Sequence, residues 1–171
     1  CPAGCISLAV HLDRLWFLTR AQTGPSSLIY TDPLNLDSIR AQNVIQIPGK
    51  GVAILPGQFG AIDATLTPRL LIFTETSISV LDGDPLIGSG LQADLRVLRV
   101  GLGCRSPHGA CMTPFGAFFL GTDGNLWQIP PGAATVTPVG DPILNTLGWN
   151  NLTSVEDTIP NNAGSIVWYD P

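Results

Sequence analysis

The chain has 171 residues, and only 12% of them carry charge, against about 25% in ordinary soluble domains. With a net charge of −5 and a single lysine, Lys50, it lacks the Lys and Arg density of a phosphate-tracking groove, so direct nucleic-acid binding is not expected. No apolar run approaches the roughly 18 residues needed to span a bilayer, while 44% hydrophobic residues in a chain of this length supply one ordinary core.

Residues 7–12 form the first β-prone run, followed by "RLWFLT" at Arg14–Thr19. A turn containing Gly24 and Pro25 leads to a third run at 27–32, and residues 43–48 make a fourth. The second unit reads the same way: residues 60–66, then "RLLIFT" at 69–74, a Glu75-Thr76 turn, Ser77–Asp82 and Asp94–Val100. In the third unit come residues 109–113, "GAFFLG" at 116–121, the turn Thr122-Asp123-Gly124, and runs at 125–130 and 134–139. Residues 152–159 and "GSIVWY" at 164–169 begin a fourth unit.

The leading hairpin runs recur after 55, 47 and 48 residues, and a near-constant period of this size marks a repeat architecture. Four strands per unit predict an all-β fold: a β-propeller-like repeat of four-stranded antiparallel blades, about three and a half of them, at 7–50, 51–103, 104–142 and 150–171. A β-sandwich is the alternative, because its strands also recur at short intervals. Residues 70–73 and 117–120 do not alternate apolar with polar, as expected of strands covered on both faces. Helix signals amount to single turns at 34–41 and 141–147. So little charge also implies a surface that assembles with others, and a homo-oligomer is expected.

Groups for chemistry are sparse. The four cysteines, Cys1, Cys5, Cys104 and Cys111, lack the two tight pairs of a zinc ribbon, and His108 nearby does not supply the missing spacing. Plain buried thiols are the leading reading in a reducing cytoplasm; the alternative is a local Cys104–Cys111 disulfide, which would span a turn containing Pro107 and Gly109. His11 and His108 sit in no nucleophile motif, and Ser106-Pro107-His108 lacks an orienting acid. Asp32, Asn35 and Asp37 lack the glycine and distal glutamate of a calcium loop and read as a turn. Asn151-Leu152-Thr153 has the form of a glycosylation sequon, which matters only in a eukaryotic secretory protein. Of the four tryptophans, Trp16, Trp127 and Trp168 fall within β-prone runs, which leaves Trp149 as the candidate contact residue. No catalytic residue, metal ligand or cofactor site emerges, and a small-molecule ligand is not expected.

The series "RLWFLTR", "SLIYTDPLNLDS", "RLLIFTETSISVLDGD", "GLGCRSPHGA" and "FGAFFLGTDGNLWQI", in that order over about Arg14 to Ile143, resembles the repeat region of phage virion proteins of the tail tubular B, or tail nozzle, kind. The resemblance implies a non-enzymatic structural component of a phage tail or head-to-tail assembly, with other virion proteins as partners, located in the virion and assembled in the host cytoplasm. It assigns scaffold roles alone: a turn to Asp32 and Pro33, a tight hairpin to Glu75 and Ser77, the start of an inner strand to Cys104, and a second hairpin to Asp123 and Gly124. The paired cysteines near the N-terminus are outside that pattern. The chain opens at Cys1 rather than at a methionine, which reads as a processed end or a cut from something longer. A secreted, disulfide-stabilised propeller module that binds glycan or protein is the alternative function.

Overall fold

The computed structural model describes residues 2–20, 24–59, 67–85, 94–131 and 135–139. Among these the fold is all-β, with twelve strands in three four-stranded antiparallel sheets and no helix. The first sheet holds β1 (Cys5–His11), β2 (Arg14–Thr19), β3 (Ser26–Tyr30) and β4 (Val44–Ile47). The second holds β5 (Gly51–Phe59), β6 (Thr67–Thr74), β7 (Ser77–Asp82) and β8 (Asp94–Val100). The third holds β9 (Ala110–Thr113), β10 (Gly116–Leu120), β11 (Leu126–Ile129) and β12 (Thr137–Pro138). Each sheet is a meander in which consecutive strands are neighbours.

Local chemistry closes the hairpins. Leu12 and Asp13, at φ 50° and 57°, make the two-residue left-handed turn between β1 and β2. Between β6 and β7, Thr74 Oγ1 accepts from the N–H groups of Thr76 and Ser77 at 3.2 and 2.8 Å, a side-chain turn that competes well with solvent. Asp123 accepts from Asn125 N at 3.1 Å, and Gly124 at φ 81° completes the turn before β11.

The second sheet lies between the other two. Leu70 and Ile72 join Ala9, Trp16, Leu18, Leu28 and Ile47 of the first sheet in one buried cluster. Leu71 and Phe73 join Ala117, Phe119 and Ile129 of the third in another. The unalternating "LLIF" is therefore buried residue by residue, because both faces of β6 are covered. Each such side chain contributes roughly 1.5–3 kcal/mol relative to exposure. Residues 117–120 differ: Ala117 and Phe119 are buried, while Phe118 and Leu120 are half-buried.

The first strands of the sheets run side by side, β1 against β5 and β5 against β9. A bulge between Gly51 and Ala53 turns both Val52 and Ala53 toward the third sheet. Gly51 is needed there, since a Cβ would stand 2.9 Å from both methyls of Leu18.

Two expectations are corrected. Residues 34–41 form turns rather than a turn of helix, because Asp32 draws their polar groups to itself. Cys104 begins no strand but makes an isolated bridge with Gly121, and the strand opens at Ala110. The expected strand at 60–66, the helical turn at 141–147 and the fourth unit lie outside the described residues; β5 opens the second sheet instead.

Candidate functional site

Successive side chains on a strand point to opposite faces, and the first sheet is apolar on both. Its inner face packs on the second sheet. On its outer face a row crosses all four strands: Leu8 lies opposite Phe17, Phe17 opposite Ile29, and Ile29 opposite Val44. Val10 opposite Leu15 starts the next row. Phe17 is buried, yet Leu8 and Val10 on β1 are 57% and 65% exposed and Val44 is 37% exposed.

Beside this face stands the loop between β3 and β4. Asp32 organises it, accepting from Ser38 Oγ at 2.8 Å, Arg40 Nε at 2.8 Å and Asn43 Nδ2 at 3.1 Å. The bonds from Ser38 and Asn43, with the Arg40 charge, hold its carboxyl below the usual carboxylate range despite some desolvation. Leu34 N donates to Asp13 O at 2.9 Å, fastening the loop to the β1–β2 turn. So held, the loop turns Leu34, Leu36 and Ile39 to solvent. Six of the nine large hydrophobic side chains exposed among the described residues thus belong to the first sheet and its loop. An apolar surface that concentrated exceeds the single scattered side chains of an ordinary surface.

A polar cluster lies at the end of the inner face. Arg14, 3% exposed, donates to Asp84 Oδ1 at 3.0 Å and to the Thr31 carbonyl at 2.9 Å, and its guanidinium lies 5.5 Å from the Tyr30 ring centre. The pair ties the first sheet to the segment after β7. Burial pushes the Tyr30 hydroxyl pKa up, partly countered by Arg14. His11 is buried beside Trp16, whose Nε1 donates to the His11 carbonyl at 2.9 Å, while His11 Nε2 has no hydrogen-bond partner. Burial lowers the imidazole pKa, and Asp84 offsets part of that. With Arg14 committed to Asp84, the cluster reads as an inter-sheet tie. Among the described residues no three His, Cys, Asp or Glu side chains gather as metal ligands.

The sequence-derived candidates are dispersed. Cys104 and Cys111 are free thiols, so the local bridge is not formed. They occupy opposite sides of the third sheet: Cys104 belongs to the cluster facing the second sheet, its Sγ 3.2 Å from the Ser106 carbonyl, whereas Cys111 pairs with Phe118 on the far face. Burial raises both thiol pKa values. Trp149, the candidate contact, and the Asn151 sequon lie outside the described residues. Trp127 packs against the core, with Nε1 3.1 Å from Asp123 Oδ1. Sequence reasoning missed Leu8 and Val10, although "LAV" without a polar residue already marks a strand apolar on both faces. It also missed the pairing of Arg14, whose place at the head of an apolar run was the signal.

No family model, curated protein or solved structure matches this chain.

Proposed function

We propose that this chain is a non-enzymatic structural module of a phage virion, part of a tail or head-to-tail assembly. Its sheets serve as propeller-like blades, and the outer face of its first sheet contacts a neighbouring protein. The observation that carries the contact is the concentration of exposed apolar side chains, Leu8, Val10, Leu34, Leu36, Ile39 and Val44, on one sheet and its loop. The ordered series of hairpin motifs from Arg14 onward supports the tail reading. The low charge and the net charge of −5 fit a wall that repels passing DNA rather than holding it.

Antibodies raised against the chain, applied to intact particles from the source and viewed by electron microscopy, should label the tail or the head-to-tail junction. Labelling of a cell envelope or of secreted material, with particles left bare, overturns the virion reading.

A further inference from the structure

Both sheet-to-sheet contacts among the described residues have one construction. The forward face of one sheet covers the backward face of the next, and the first strands lie alongside. In the first sheet Trp16 and Leu18 face forward, and in the second Leu71 and Phe73 do. Leu70 and Ile72 face backward, as do Ala117 and Phe119. Between β1 and β5 the Ile54 N–H donates to Ser7 Oγ at 3.1 Å, and Ala9 and Ile54 share a buried cluster.

Register carries this construction to the outer faces of the first and third sheets. Leu8, opposite Phe17, stands in the first sheet where Ile54, opposite Ile72, stands in the second. Cys111, opposite Phe118, stands in the third where Ala9, opposite Trp16, stands in the first. The first sheet's backward face is open along β1 at Leu8 and Val10. The third sheet's forward face carries Cys111, Phe118, Leu120 and Leu126, all half-buried. None of these side chains is charged. Among the described residues, the first and third sheets therefore carry the two halves of the internal contact.

We infer that the backward face of the first sheet receives the forward face of the third sheet of a second copy, head to tail, with Leu8 of one chain against Cys111 of the next. Such a contact joins unlike surfaces, so it repeats from copy to copy and closes into a ring where the rotation allows. The inference deepens the proposed function and rests on it only in taking this face as a protein contact.

The test uses the full chain carrying Leu8→Cys, oxidised mildly over a range of chain concentrations, with disulfides mapped by peptide mass spectrometry. The expected product is an inter-chain link between position 8 and Cys111, growing with concentration and absent when Cys111→Ser is added. In sedimentation, Leu8→Glu should raise the concentration of half-association roughly tenfold or more, with circular dichroism and melting temperature unchanged. A link between two copies of position 8 would show first sheets meeting each other. A link within one chain, independent of concentration, would show the chain's own residues covering the face. Either result, or a wild-type monomer at every concentration, overturns the inference while leaving the particle-labelling test of the virion reading standing.

Discussion

The second sheet and the first are built from nearly the same hairpin, "RLLIFT" against "RLWFLT", and yet they meet different surroundings. In the second, Leu70, Leu71, Ile72 and Phe73 are all at most 1% exposed, because each face has a neighbouring sheet. In the first, the same pattern leaves Leu8 and Val10 largely exposed on the adjoining strand. The repeat thus writes apolar residues onto both faces of every unit, whether or not the described chain supplies a cover. What distinguishes buried core from exposed apolar surface here is position in the stack rather than residue type.

Substitutions that strike the doubly covered sheet should have the largest effects. Phe73→Ala removes a fully buried ring 5.1 Å from that of Phe119. It should cost about 3–5 kcal/mol in urea unfolding, and a loss below 1 kcal/mol would mean that the second and third sheets do not depend on this contact. Gly103→Ala comes next: its Cβ would meet the Thr74 carbonyl oxygen at 2.1 Å and Glu75 backbone atoms at 2.3 and 2.4 Å. With no flexible side chain to yield, about 3 kcal/mol should be lost, read as a fall in melting temperature.

The inner face of the first sheet gives a smaller, pH-dependent effect. His11 is kept neutral by burial, so its folded pKa lies below the ordinary imidazole value. The unfolded chain takes up a proton at about pH 6.5 while the folded one does not. The stability linked to His11 is therefore full above that pH and is lost as pH falls toward the folded pKa. The melting temperature should fall between about pH 7.5 and 5.5, and His11→Phe should reduce that fall. Equal pH dependence in both proteins would assign the effect to other groups. Smallest of all, Leu8→Ser on the outer face should change monomer stability by no more than about 0.5 kcal/mol, measured by dilute denaturant titration. A loss near that of Phe73→Ala would mean the face is core after all.

Much of the strand pattern is legible in the residues. Ser77–Asp82 and Asp94–Val100 stand where the β-prone runs place them, since Gly, Asp and Thr turns punctuate the chain clearly. The opening strand of the second sheet is different. Pro56 and Gly57 look like breakers, yet both lie inside β5, paired with Leu70 and Arg69. That is physically permissible because β5 is an end strand of its sheet, where a missing N–H need not interrupt a ladder. The exposed apolar face is harder to see. Leu8 and Val10 have the sequence of core residues, and only the lack of a covering sheet among the described residues distinguishes them. Arg14 and Asp84 are 70 residues apart, and nothing in either segment names the other.

The turn between β6 and β7 joins more than two strands. Glu75 N donates to the Lys50 carbonyl, Cys104 N to that of Thr74, and Gly101 N to that of Thr76, while the Glu75 carboxylate meets both Arg20 and Lys50. Thr74, Glu75 and Thr76 therefore tether the first sheet, the second, and the connection into the third. A pull applied to one sheet would thus pass partly through main-chain hydrogen bonds at this turn, beside the apolar contacts that join the sheet faces.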